Sequence, residues 1–424
     1  MAIRKQRPNL TPQRMQNALY IREAGWRRRM RLHVYPLDAV RLFAAFCVMA
    51  FHLAFYAWAA PASTVGRMYQ NAASFPELAP WTWYGWVGVE IFFVISGFVI
   101  ANSANSSSPI RFAKSRALRL FPAVWICAFI TLGAWMIVDG AAWRPLLGEM
   151  VRSLSLWVRG PWIDAVYWTL AVEMMFYLLI FLVLLSRRFA RLQWVALALI
   201  VAPGVYLSID VLLSTASSSV WRGISDWGDL LLLRHGSFFG VGIFMWLSSV
   251  RGLRPWEWAG MVTGAAVCCL EIFLRARAMS LGETQASLSM PALVPIGIWL
   301  AAFAAMFAFA AAPDRFEPRS AAARALLEHA GKMTYPLYLT HAVLGAGVMR
   351  VLIAHGFGPW PSLAIAIVAM LALASVLAEF GEPFVRRLLR RALEHVEQML
   401  RRSPALAFLF ASGGAVPGKV APSN

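Results

Sequence analysis

The stretch Leu37-Asp38-Ala39-Val40-Arg41-Leu42-Phe43-Ala44-Ala45-Phe46-Cys47-Val48-Met49-Ala50-Phe51-His52-Leu53-Ala54-Phe55 decides the fold class. It is apolar for the length that a helix needs to cross about 30 Å of hydrocarbon, yet it carries an arginine and a histidine. Lipid offers no partner to a bare backbone, so such a segment must be helical. Arg41 and His52 are 11 residues apart, or ~16.5 Å of rise along one helix. Eleven residues are also about three turns, so both side chains share a face. An ionisable residue in a span costs about 2.5–3.5 kcal/mol on insertion scales, so a pair on one line calls for a reason. Arg41 alone reads as a snorkelling side chain, and His52 alone as a hydrogen-bonded packing residue. Together they read as a polar path through a bundle.

Working outward, the same apolar pattern recurs. Sixty per cent of the 424 residues are hydrophobic and 14% are charged, against roughly 25% charged in soluble domains. Spans are predicted near 35–58, 84–103, 119–138, 166–185, 192–208, 229–249, 256–274, 290–312, 333–354 and 361–380. The expected fold is an all-α, polytopic bundle of about ten transmembrane helices over residues 34–384, with both termini cytoplasmic. The first apolar run is full length, so it is expected to remain as a span.

The net charge is +18. In a soluble chain it would suggest nucleic acid; here most Lys and Arg fall in alternate connecting segments, which is the positive-inside pattern, and no nucleic-acid partner is expected. The intervening loops hold Arg67, Arg144, Arg152, Arg159, Arg222, Arg275 and Arg277. Residues 1–33 read as a basic cytoplasmic arm lying partly on anionic lipid. Residues 385–424 read as a basic tail that opens with an amphipathic helix on the membrane surface. The loop tryptophans Trp81, Trp83, Trp143, Trp157, Trp162, Trp221 and Trp227 suit an aromatic belt, with a sugar-stacking platform as the alternative. Cys47, Cys127, Cys268 and Cys269 all lie in apolar stretches and read as small core residues, not as a disulfide framework.

Further polar residues interrupt the apolar blocks. Gly88-Val89-Glu90-Ile91-Phe92-Phe93-Val94-Ile95-Ser96-Gly97 places a carboxylate at about the depth of His52, where it would fix the tautomer of the imidazole. Glu173, in Trp168-Thr169-Leu170-Ala171-Val172-Glu173, is a second buried carboxylate. Arg116 and Arg119 are three apart at the mouth of the third span, which suits bidentate binding of phosphate as well as simple topology. Tyr338 and His341 share a face of the ninth span, and Arg234 precedes His235 and Phe238-Phe239-Gly240 in the sixth.

In this order and at these spacings, the motifs resemble the acyltransferase 3 family of integral-membrane O-acyltransferases over about residues 34–390. The arginine–histidine pair of the first span, the Gly88–Gly97 block, Arg116-x-x-Arg119 leading into Pro122, and Trp168 to Glu173 carry the resemblance. Tyr335–His341, Glu382-Pro383-Phe384 and Arg234 before Phe238 fall where later family motifs do. Position 90 is Glu where the family commonly has Asp, and residues 172–175 are Val-Glu-Met-Met, which leaves Glu173 as the sole carboxylate there.

The resemblance implies transfer of an acyl group, usually acetyl, from cytoplasmic acyl-CoA to a hydroxyl of an extracytoplasmic or lipid-linked glycan. It implies a multi-pass protein of the inner (plasma) membrane, no metal, and the stand-alone type without a fused hydrolase-like domain. Arg116, Arg119 and Arg41 would hold the CoA phosphates. His52 would act as general base or as an acyl relay, oriented by Glu90 or Glu173. Trp168, Arg234, Tyr338 and His341 would meet substrate. A transporter or flippase for a glycan or lipid-linked sugar is the rival reading, since it too would bury charges among ten helices.

Overall fold

The computed structural model describes residues 35–213, 228, 230–280 and 291–417. The basic arm 1–33 and Trp221, Arg222 and Trp227 lie outside the described residues. The described residues form helices and connecting turns, with no strand among them.

The first span, α1 (Tyr35–Ala59), contains one π-helical turn at His52–Tyr56. Then follow α2 (Gly88–Ala104), α3 (Pro109–Val138), a surface helix α4 (Trp143–Leu154), α5 (Trp168–Leu185), α6 (Leu192–Leu213), α7 (Gly236–Arg251), α8 (Pro255–Ala278) and α9 (Leu293–Ala311). After these come α10 (Ala321–Thr340), α11 (Val343–Ala354), α12 (Pro359–Val376) and α13 (Glu382–Arg401). Large apolar side chains such as Phe43, Phe129, Ile137 and Val368 face outward. A soluble fold would cover such a surface, whereas lipid accepts it.

Nine of the ten predicted spans are long and apolar enough to cross a membrane: eight continuous helices, and α10 with α11 as one broken pair bent by 68°. The exception is α7. It has 16 residues, about 24 Å against the ~30 Å of a hydrocarbon core. The stretch expected to begin it at 229 is instead a run of turns from 230 to 235. The shortness of α7 fits its place. It is buried on all sides from Gly236 to Leu247, packed between α2, α6 and α8. At its crossing with α2, a Cβ on Gly97 would strike the Phe239 carbonyl, and one on Gly242 the Val94 carbonyl. Small residues let the two backbones touch where lipid supplies no hydrophobic drive for helix association.

Two other features set the position of the site. Helix α3 begins at Pro109, ten residues before the predicted start, with Ser108 Oγ capping the Arg111 amide at 3.4 Å. Arg116 and Arg119 therefore sit on continuous helix, not on a loop. Helices α1 and α10 run parallel and meet at three levels: Tyr35 with Glu328 (3.3 Å), Asp38 against Gly331, and His52 with His341.

At the arginine end of the bundle, α12 passes through a π turn at Leu377–Gly381 into α13. Lys114 of α3 ties α13 down through Glu397 at 2.9 Å. The chain then returns: the Gly413 amide donates to the Ser107 carbonyl and the Val416 amide to Asn105 Oδ1. All four cysteines are free, with Cys127 and Cys268 buried. Trp81, Trp143 and Trp157 are exposed, as a belt requires, but Trp83 is buried.

Candidate active site

A cavity of about 130 Å³ opens among α1, α2, α3, α5 and α10. Arg41, Arg116 and Arg119 all line it, although they come from two helices and Arg41 lies 75 residues before Arg116 in sequence. Each guanidinium is held by a neighbour. Arg41 donates to Asp38 Oδ1 at 2.6 Å. Arg116 lies 5.8 Å from the rings of both Phe112 and Tyr177, and Arg119 lies 5.5 Å from Tyr335. Glu173 lines the same cavity, accepting from Ser96 Oγ at 2.9 Å and Tyr177 Oη at 2.7 Å. Three fixed cations stand against two carboxylates, Glu173 and the Asp38 that pairs with Arg41, so the cavity carries net positive charge and suits an anionic ligand.

Phe92, Thr169 and Tyr338 also line the cavity. The Tyr338 and Thr169 hydroxyls meet at 3.0 Å, and the Tyr338 ring lies 5.7 Å from that of His341. Behind Tyr338 stands the histidine pair. His341 Nε2 is 3.0 Å from His52 Nδ1, which also faces the Val48 carbonyl at 3.0 Å.

The proton positions follow from the partners. His341 Nδ1 faces two carbonyl oxygens, Leu337 at 3.1 Å and Tyr338 at 2.8 Å. Carbonyls only accept, so Nδ1 carries the hydrogen and Nε2 of the neutral ring carries the lone pair. The hydrogen between the rings therefore belongs to His52 Nδ1, shared with Val48. That leaves His52 Nε2 with a lone pair and no hydrogen-bond partner among the described residues. His341 is buried and His52 half-buried, so the basic nitrogen lies on the accessible ring.

The broken helix makes this possible. The 68° bend between α10 and α11 falls where the imidazole of His341 inserts into the main-chain ladder. A regular helix would give the Tyr338 carbonyl to the amide of residue 342; here it accepts from the imidazole. On the other side of the break, the Val343 amide donates to Asp164 Oδ2 at 3.2 Å, while Asp164 Oδ1 caps Val166 at 3.1 Å. The π turn of α1 begins at His52 itself, and such turns are frequent at functional sites.

Several sequence-predicted residues sit elsewhere. The imidazole of His52 is held by His341 and Val48, not by Glu90 or Glu173. Glu90 is turned away toward α7 and α8, where it, His235 and Glu271 bring one ligand atom each within 4.8 Å of one another. Equal depth places Glu90 level with His52 but says nothing of the direction it faces. The Trp168 ring lies tilted against that of His235, with centroids 5.2 Å apart, and lines no part of the arginine cavity. Arg234 is half-buried beside His235.

Asp38, Asp164, Tyr177 and Arg275 join these contacts without a sequence motif that marks them. Arg275, counted among the loop arginines, lies in the last turn of α8 with its guanidinium 5.2 Å from Trp86 and 5.8 Å from Trp168. Asp38, three residues before Arg41, was the one that spacing alone offered.

Comparison with known proteins shows the family. Residues 34–379 match the acyltransferase 3 family, described as an acyltransferase domain. A protein of Komagataeibacter xylinus described as a membrane-bound transacylase is 31% identical over 134 residues, 27% of this chain and 34% of that relative. Nodulation protein 10 of Rhizobium leguminosarum bv. viciae is 26% identical over 376 residues, 81% of this chain and 91% of the relative. No solved structure matches the chain.

Proposed function

We propose, for a chain that belongs to the acyltransferase 3 family and is therefore a multi-pass membrane acyltransferase, that the acyl group comes from acyl-CoA and passes to a hydroxyl of a glycan. The observation that carries the proposal is the axis from Arg41, Arg116 and Arg119, through the cavity, to Tyr338 and the His341–His52 pair. CoA is polyanionic at one end and slim and nearly neutral along its pantetheine arm. The ~16.5 Å of helix between Arg41 and His52 suits that arm.

On this reading the arginine end faces the cytoplasm, as do both termini, and the protein lies in the plasma (inner) membrane. The three guanidiniums hold the CoA phosphates, and the arm extends toward Tyr338. His52 Nε2 takes the proton of the acceptor hydroxyl as the oxygen attacks the thioester carbonyl. The tetrahedral intermediate collapses with loss of the CoA thiolate, which recovers that proton from the imidazolium. His341 positions His52 throughout, holding its Nδ1 proton. The donor is acetyl-CoA on the resemblance of the motifs, and the acceptor is an extracytoplasmic or lipid-linked glycan.

The deciding test is transfer of radiolabelled acetyl from acetyl-CoA, by purified protein in proteoliposomes, to a glycan or lipid-linked sugar fraction. Labelled product that disappears in His52→Ala supports the reading. Equal product from His52→Ala, with comparable protein inserted, refutes the role of His52.

A further inference from the structure

A second group of buried ionisable side chains lies outside the arginine-to-histidine axis. Glu90 of α2, His235 at the N-terminus of α7 and Glu271 of α8 are 1–3% exposed. Their ligand atoms all fall within 4.8 Å of one another, and His235 Nδ1 stands 3.7 Å from Glu271 Oε1. Ligands about 2.1 Å from a tetrahedral metal ion are roughly 3.4 Å apart. Small side-chain rotations would therefore close the three onto one ion.

Glu90 is the pointer. Both its carboxylate oxygens are buried and neither has a hydrogen-bond partner. A carboxylate in that condition, a few ångströms from a second one, must be neutralised by a proton or a cation. The neighbouring guanidinium of Arg275 acts on it only from beyond ion-pair distance. Arg275 is seated on Trp86 and Trp168, and Glu90 forms no ion pair with Arg275 or with Arg234.

We propose that Glu90, His235 and Glu271 form a binding site for a divalent cation of the zinc or manganese type. Two carboxylates supply charge, and the imidazole selects against magnesium and calcium, which take oxygen ligands almost alone. The aromatic rings of Phe93 and Trp168, 5.4 Å and 5.2 Å from the His235 ring, hold the imidazole in place. The ion would join α2, α7 and α8 at one point. The inference stands apart from acyl transfer, and of the residues expected to act in that reaction it takes Glu90 and Trp168, whose roles it reassigns.

The experiment uses the full-length protein in nanodiscs, incubated with excess zinc chloride, desalted, and assayed for bound metal and thermal midpoint. Wild type is expected to retain about one zinc per chain and to melt at a higher temperature than after EDTA treatment. Glu90→Gln and Glu271→Gln are expected to lose both the metal and the zinc-dependent shift. Manganese chloride in place of zinc serves as the second probe. Absence of retained metal and of any thermal shift with both ions in wild type overturns the proposal, and points to a proton shared by the two carboxylates. Metal retained at the wild-type level in both variants overturns it too, since the zinc then sits on other histidines. The wild-type measurement decides even if a variant fails to insert.

Discussion

His341 Nε2 lies 3.0 Å from His52 Nδ1, and the direction of that hydrogen bond is set by main-chain carbonyls, not by a carboxylate. If the pair works as a unit, its variants should not add. His52→Ala is expected to lower kcat/KM by roughly 10²–10⁴-fold, the usual worth of a general base. His341→Ala should cost less, and the double variant no more than His52→Ala alone. KM for acyl-CoA should stay within about twofold throughout. Independent, multiplying losses in steady-state kinetics would refute the coupling.

The arginines should show the opposite split. Hydrogen bonds to charged groups are worth about 1.5–3 kcal/mol each. Arg116→Ala and Arg119→Ala are therefore expected to raise KM for acyl-CoA by roughly 10- to 100-fold while kcat changes little. A donor lacking the nucleotide phosphates, such as an acylated pantetheine, should be indifferent to both substitutions. Equal losses on both donors would return these residues to topology alone.

Close packing of α2 on α7 makes a prediction about stability. A methyl at Gly97 meets backbone, whereas one at Gly133 meets nothing within 4 Å. Gly97→Ala is expected to destabilise by about 1–3 kcal/mol and Gly133→Ala to be neutral or stabilising, read as thermal midpoints in detergent. Matching midpoints would mean that the helices are not in contact there.

Asp164 should give the fold a pH dependence. Burial pushes its carboxyl from 3.8 up to about 6, against the pull of the Val166 and Val343 amides. The folded protein then holds this proton more tightly than the unfolded chain does. The contribution of Asp164 to stability is accordingly greatest below pH 4, falls as pH rises through the interval from 4 to 6, and is level above it, with an amplitude on the order of 3 kcal/mol. Asp164→Asn removes the titration and should flatten that part of the profile measured by chemical or thermal unfolding. A profile with the same slope in both proteins would exclude Asp164 as its source.

What was legible in the sequence was height along an axis. The 11-residue interval put Arg41 and His52 on one face of α1, and both do face α10. The three-residue interval put Arg116 and Arg119 together, and one cavity holds them both. Azimuth between helices was not legible. Glu90 was level with His52 and was read as its partner, yet α2 is rotated by its Gly97 contact so that Glu90 meets α7 and α8. The partner of His52 came from 289 residues away, a distance over which local periodicity carries no information. Arg275 was hidden in the same way: a charge at a helix end reads as loop until its aromatic seats, Trp86 and Trp168, are in view. The shortness of α7 was masked because its flanking residues Leu230–Leu233 are as apolar as a span.

The break between α10 and α11 has one more consequence. Chemists usually alter a catalytic base by changing its side chain or a side chain that touches it. Here the tautomer is written into the main chain, since the discontinuity is what spares the Tyr338 carbonyl for the imidazole. A change that left every catalytic side chain in place but let the helix run straight would hand that carbonyl back to an amide. The His341 Nδ1 hydrogen would then rest on the Leu337 carbonyl alone, 3.1 Å away, and the acceptor for the His52 hydrogen would be less firmly fixed. Such a protein would keep its full inventory of residues with the proton between the two rings less firmly placed.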